Sequence, residues 1–286
     1  MIKTIAVNFR TDDAGAAAVA ADIAKFTAAQ GLRPLALAEA ADAYGLSAFA
    51  CSEEEFTSEA ELAVSVGGDG TFLGTAQMFA ARNIPIMGIN KGRLGFLTEF
   101  LPEEYSVYLP QVVSGKLKTS VRAMLRAVVI KQGKQAGSFD FLNDAVLSQN
   151  SFSKVVSIRL EANGALLSAF NGDGLIVSTP TGSTAYSLSA GGPVVTPDIS
   201  GVFLVTPICP HALGVRSMLL SAADELSARA ASVAGNLLLT TDGQKATEIE
   251  KDDAVLFKAS PYSIRLIEHP NKNFYDILRN KLGWGR

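Results

Sequence analysis

The sequence predicts an α/β protein in two parts: an N-terminal α/β domain with a parallel sheet and a C-terminal β-rich, β-sandwich-like domain. Three observations predict it. Over roughly the first hundred residues, short apolar runs alternate with helix-length segments. After about Lys118 the pattern changes to short β-branched runs separated by turn residues. With 286 residues, 48% of them hydrophobic, the chain can also bury one large core or two ordinary ones.

The elements follow in chain order. Residues 3–8 form a short apolar strand, and 14–30 an alanine-rich helix opening after an Asp cap and ending at Gly31. Strand 63–66, helix 71–82 and strand 84–89 come next; units of this length imply parallel strands flanked by helices. Residues 102–113 read as a further helix, closed by Ser114 and Gly115. The β-rich part contains strand-like runs at 127–130, 155–160, 174–178, 202–206, 236–241, 254–258 and 264–267. Turn signals lie between them at Gly133, Asn163-Gly164, Asn171-Gly172 and Asp242-Gly243. Residues 273–281 form an amphipathic helix with Phe274, Ile277, Leu278 and Leu282 on one side, expected to pack on the first domain. The expected division is therefore 1–118, completed by 268–286, and 119–267.

Composition excludes several classes. A net charge of −3 and a pI of about 5.5 leave no basic surplus for nucleic acid. Cys51 and Cys209 are the only cysteines, which argues against a disulfide scaffold or a cysteine-based metal site and suggests two buried free thiols in a reducing compartment. Asp12 and Asp13 precede the apolar run 14–21 where a signal peptide needs basic residues. The longest uncharged stretch, 174–197, is rich in Gly, Pro, Ser and Thr rather than aliphatic residues. A cytoplasmic protein with no membrane partner is expected.

Chemistry concentrates in two stretches. In Val64-Ser65-Val66-Gly67-Gly68-Asp69-Gly70-Thr71-Phe72-Leu73-Gly74, a buried strand meets glycines and then a helix. Free N–H groups at such a helix start favour phosphate, which makes Gly67, Gly68, Gly70, Thr71 and Phe72 a candidate phosphate loop. It matches neither the Rossmann nor the Walker A spacing. Asp69 is anomalous, because a carboxylate repels what the loop attracts. It suits proton acceptance from a hydroxyl nucleophile, or a share in holding Mg²⁺; equally, it suits a simple helix cap.

The second stretch, 178–193, carries many hydroxyls at one short helix start, with Tyr186 offering a flat face to a heteroaromatic ring. The hydroxyls suit either capping or recognition of a ligand rich in hydroxyls and amides. No Gly-x-Ser-x-Gly elbow occurs, which argues against a serine hydrolase. His211 and His269 each adjoin a proline and read as structural. Asn143-Asp144 and 171–174 read, taken singly, as turn formers.

Taken together, these stretches resemble the NAD kinase family. Gly67-Gly68-Asp69-Gly70-Thr71-Phe72-Leu73 is similar to its signature loop and Gly88-Ile89-Asn90-Lys91-Gly92-Arg93-Leu94-Gly95-Phe96-Leu97-Thr98-Glu99 to its second block. The third, 172–193, is the narrowing one, since the glycine loop alone is shared with lipid kinases and phosphofructokinases. Pro207-Ile208-Cys209-Pro210-His211 and Lys281-Leu282-Gly283-Trp284-Gly285 extend the likeness, which covers most of the chain from about Leu62.

The resemblance implies transfer of a phosphoryl group from ATP or polyphosphate to the 2′-hydroxyl of NAD's adenosine ribose, with substrate held between the two domains. It implies that Asp69 is the general base, with Gly70 beside it. It also implies that Asn143, Asp144, Lys154, Asn171, Asp173, Thr184, Ala185, Tyr186, Ser187, Leu188, Ser189 and Gln244 contact NAD. A divalent cation, Mg²⁺, and a homodimer or homotetramer come with it; no metal ligands are assigned. Two positions depart from the family's pattern: Asp144 stands where Glu is usual, and Asn171 where Arg is frequent. Either bears on affinity or on the balance between NAD and NADH. The alternatives are a lipid or sugar kinase of the same superfamily, or a non-catalytic NAD(P)-binding regulator.

Overall fold

A computed structural model describes residues 2–92, 94–149, 155–232, 237–283 and 285. The chain divides into two compact units, Met1–Val121 with Ser263–Arg286, and Arg122–Tyr262.

The first unit opens with β1 (Thr4–Phe9) and α1 (Ala14–Ala29). Asp13 caps α1, its carboxylate accepting from the Gly15 and Ala16 amides. The buried side of α1 is mainly alanine, which lets the helix lie close to the sheet. Next come β2 (Arg33–Leu37), α2 (Ala38–Ala41), β3 (Ala50–Cys51) and α3 (Glu53–Glu59). No element was expected there: the strands are short, and α3 combines seven residues with a run of three glutamates. β4 (Leu62–Val66) is buried along its whole length and leads into α4 (Asp69–Phe79). α4 starts two residues earlier than expected and ends in a 3-10 turn, Ala80–Arg82. β5 (Pro85–Ile89) and α5 (Tyr105–Val113) follow, α5 entered through a 3-10 turn, Pro102–Glu104.

The second unit is built from β6 (Thr119–Lys131), β7 (Lys134–Phe141), β8 (Asp144–Gln149), β9 (Val156–Ala162), β10 (Ala165–Gly172) and β11 (Gly174–Ser178). After α6 (Tyr186–Ser189) come β12 (Val202–Ile208), β13 (Met218–Ser221), β14 (Leu226–Ser232), β15 (Leu237–Thr241), β16 (Lys245–Ile249) and β17 (Ala254–Ile267). One sheet runs β13-β12-β11-β8-β15-β16, antiparallel throughout. The other runs β10-β9-β14-β17, with β6 on β17 and β7 on β6. Leu147, Val177 and Val205 of the first share one core with Ile158, Ala228 and Phe257 of the second. Alternate residues of two facing sheets meeting in one core make a β-sandwich. The separate runs expected at 254–258 and 264–267 join into the single strand β17. Asn236, the expected start of another strand, lies outside the described residues.

Through β17 the chain returns to the first unit. Arg265 and Leu266 pair parallel with Pro85 and Ile86 of β5, which gives a parallel sheet ordered β3-β2-β1-β4-β5-β17. α7 (Phe274–Leu282), capped by the Asn273 side chain, buries Ile277 and Leu278. Leu282, expected on the apolar side, is exposed. Among the described residues, no helix is long and apolar enough to cross a membrane. Cys51 is buried as expected, but Cys209 is exposed in a left-handed conformation, φ 43°, because it turns the chain between β12 and Pro210. His269 is buried against the Phe100 and Tyr108 rings, its Nε2 3.3 Å from Glu104, and burial pulls its pKa down.

Candidate active site

The glycine loop leaves β4 in the first unit, with the Gly67 amide donating to Ile89 O at 2.9 Å. Gly68 is the N-cap of α4, and no side chain caps that helix; Asp69 is its first residue. The carboxylate of Asp69 turns instead to the loop after β5. Its Oδ2 accepts from the Phe96 amide at 3.0 Å, and its Oδ1 from the Leu97 amide at 3.1 Å and Thr98 Oγ1 at 3.0 Å. Asn90 Nδ2 donates to Thr98 Oγ1 at 2.8 Å and fixes that hydroxyl. Lys281 of α7 brings its ammonium to 3.3 Å from Oδ2. Gly95 permits the arrangement, because a methyl group at its Cα would overlap both Asp69 Oδ1 and Thr98 Oγ1. An oriented, partly exposed carboxylate therefore stands at the start of a helix that no side chain caps. A carboxylate so held suits proton acceptance, and a helix start suits an anion.

In the second unit, Asn143 and Asp144 join the segment after β11 and the turn after β15. The Thr179 amide donates to Asn143 O at 2.9 Å, and a side chain at Gly182 would run into the same carbonyl. Asp242 accepts from the Leu142, Asn143 and Asp144 amides at 2.9, 2.7 and 3.2 Å, and its own amide donates to Asp144 O at 2.8 Å. Gln244 sits in the same turn, its amide on Thr241 O. Burial and the neighbouring Asp242 charge push the Asp144 carboxyl up to about 7, against a counteracting bond from the Tyr186 amide. Near neutrality Asp144 thus exists both as an acceptor and as an O–H donor. Asn143 Oδ1 and Ser178 Oγ are buried without a partner, and Ser178 lies directly across the ladder from Asp144. Unfilled polar atoms around a buried carboxyl are what a hydroxyl-rich ligand would satisfy.

The remaining candidates divide. Thr184 and Ala185 are half-buried, and Tyr186 and Ser189 are exposed. Ser187 is buried with its hydroxyl on Thr206 Oγ1 at 2.8 Å, and Leu188 is half-buried. Asp173 and Asn171 lie at the other end of the β8–β11 ladder, where Gly174 faces Ser148. Four strand steps separate that end from Ser178, roughly 14 Å. There the Asp173 amide donates to Ile208 O, the Cys209 thiol bonds the Asp173 carboxylate, and the His211 amide donates to Asn171 O. Lys154, Arg93 and Trp284 lie outside the described residues. Sequence reasoning missed the 96–98 donors, the anchoring role of Asp242 and the approach of Lys281. Each had a local motif but no sign of its partner. Among the described residues no group of three His, Cys, Asp or Glu side chains is placed to hold a metal ion.

Comparison with known proteins bears on the family. Residues 24–117 match the family model of the ATP-NAD kinase N-terminal domain, and 142–269 that of the ATP-NAD kinase C-terminal domain. The chain is 35% identical over 284 residues to the NAD kinase of Syntrophotalea carbinolica, covering 99% of both. It is 41% identical over 225 residues to that of Aquifex aeolicus, covering 79% of this chain and 82% of the relative. Among solved structures, yeast NADH kinase complexed with NADH shares the fold, with a TM-score of 0.92 at 22% identity over 99% of this chain and 88% of that one. An NAD kinase from Archaeoglobus fulgidus in complex with ATP gives 0.73 at 26% identity over 98% and 97%.

Proposed function

The chain belongs to the NAD kinase family, and on that premise we propose that Asp69 is the base through which it phosphorylates NAD. Its activity is that of an NAD kinase, a phosphotransferase acting on an alcohol, with NAD and ATP as substrates. Asp69 takes the proton of the adenosine 2′-hydroxyl as the oxygen attacks the terminal phosphorus of ATP, and the amides of the 67–72 loop receive phosphate. The observation that carries this reading is the orientation of Asp69. It does not cap its own helix, and it is held by three donors from the 96–98 loop.

Asn143, Asp144, Asn171, Asp173, Thr184, Ala185, Tyr186, Leu188, Ser189 and Gln244, with Lys154 and Gly70, are proposed to bind the dinucleotide. Ser187 joins them through its backbone, since its hydroxyl is committed to Thr206. A divalent cation such as Mg²⁺ would be carried by the donor phosphates. There it would offset negative charge on the phosphates. Residues 1–118 with 268–286 form the proposed catalytic domain and 119–267 the dinucleotide-binding domain. A cytoplasmic location and a homodimeric or homotetrameric state are carried over from the family resemblance; sedimentation of the purified enzyme decides the latter.

The test is Asp69→Asn, assayed for NADP formation with NAD and ATP. Loss of a positioned base costs about 10²–10⁴-fold in kcat. Near-normal turnover in a folded variant removes Asp69 from the role.

A further inference from the structure

Asp69 is more fully engaged than a proton acceptor needs to be. A carboxylate presents about four lone-pair positions. Among the described residues, three of its donors come from the 96–98 loop and the fourth is the Lys281 ammonium, 3.3 Å from Oδ2. The four differ in how they are held. Two are backbone amides, and the third is a hydroxyl fixed by Asn90. Lys281 is carried on a flexible four-carbon stem from the last turn of α7, with its ammonium 5.1 Å from the centre of the Phe96 ring and its side chain 36% exposed. It alone can leave the carboxylate without dismantling the loop. An acceptor hydroxyl must reach a free lone pair on Asp69, and Oδ2 is the oxygen from which a partner can be displaced.

We propose that Lys281 is a further catalytic residue: it balances Asp69 in the resting enzyme, yields Oδ2 to the ribose hydroxyl, and then offers its ammonium to the oxygens of the transferring phosphoryl group. This rests on the reading of Asp69 as the base. In the step itself, the hydroxyl oxygen bonds to the terminal phosphorus and its proton passes to Asp69. The bond from that phosphorus to the bridging oxygen breaks, and the electron pair leaves with the nucleoside diphosphate. Lys281 keeps all three protons and changes no bond. Its contribution is positive charge beside phosphoryl oxygens, delivered from the site that the nucleophile has just taken. The Phe96 ring gives the ammonium a resting face on either side of the exchange.

The experiment compares wild type with Lys281→Met, Lys281→Arg and Lys281→Ala in the NADP assay. The expected result is a kcat about 100-fold lower in Lys281→Met, with the KM for NAD changed by less than about threefold. Activity should return in part in Lys281→Arg, and in Lys281→Ala on adding ethylammonium. Wild-type kcat in Lys281→Met overturns the proposal. So does a loss that neither arginine nor the added amine restores, because a lysine that only packs α7 is not replaced by a free amine. A second measurement uses the unaltered enzyme and does not depend on any variant folding. Carbamylation of Lys281 by cyanate, read by peptide mass spectrometry, should quicken when NAD is added without ATP. An unchanged rate overturns the displacement. Wild type that makes no NADP in the same assay sinks the kinase reading itself, separately from these outcomes.

Discussion

Asp144 is buried beside Asp242, and its pKa near 7 has a consequence for stability. An aspartate whose folded-state pKa is raised binds its proton more tightly folded than unfolded. Its contribution is therefore complete below the unfolded value of 3.8 and is lost as pH climbs through about 7. Asp144→Asn removes that titration. Denaturant unfolding across this window should show wild type losing up to about 1.4 kcal/mol per pH unit relative to the variant. Parallel curves would show that Asp144 is ionised throughout. Tyr186, 47% exposed, presents its ring to solvent beside this carboxyl's backbone donor. Tyr186→Ala should raise the KM for NAD about fivefold, the equivalent of roughly 1 kcal/mol of ring contact, and leave that for ATP unchanged. Equal losses for both substrates contradict its place on the dinucleotide. At this scale the sequence was legible where a residue type is out of keeping with its neighbours, as Asp69 is among glycines. It was illegible where the meaning lies in a partner far along the chain: Asp69 meets Lys281 212 residues away, and Asp242 meets Leu142 at a separation of 100.

Elements with a cap and a clear period were readable. α1 carries its Asp13 cap and ends before Gly31, and β11 is an unbroken buried run. β7, β13 and β16 were not. Their side chains are mostly exposed or half-buried, with Phe141 and Ile249 the buried ends of β7 and β16, and pairing within the sheet more than burial of an apolar side defines them. The loop at 95–98 is the decisive small element, and its tolerance is sharply limited at Gly95. Gly95→Ala should lower kcat by about 100-fold through displacement of the Asp69 carboxylate, because small misplacements at a reacting group cost that much. Circular dichroism and thermal melting should remain close to wild type. A Gly95→Ala enzyme with full activity would mean that the 96–98 donors do not orient the base.

At the scale of the molecule, the change of pattern near Lys118 foretold two architectures, and the parallel sheet and the sandwich are both present. Less visible was that a single strand, β17, carries the chain out of the second unit and into the first. Arg122–Tyr262 carries its own core, which predicts that a fragment of those residues gives a cooperative melt and a β-type spectrum alone. Residues 1–121 alone lack the end of β17 and all of α7, and should not melt cooperatively; a sharp transition from that fragment would show that the return segment is dispensable.

The pairing of Arg265 and Leu266 with Pro85 and Ile86 also imposes a timetable on the newborn chain. A ribosome adding about 5–20 residues per second needs on the order of 10–35 seconds to travel from β5 to the strand that covers it. Phe100 bridges the Ile89 end of that flank early, but its Pro85–Ile86 end has no native neighbour throughout that interval, and an uncovered strand flank invites pairing with other chains. Yield in a slow-translating host at high temperature should therefore depend on chaperone supply, through a waiting strand rather than through any weakness of the finished enzyme.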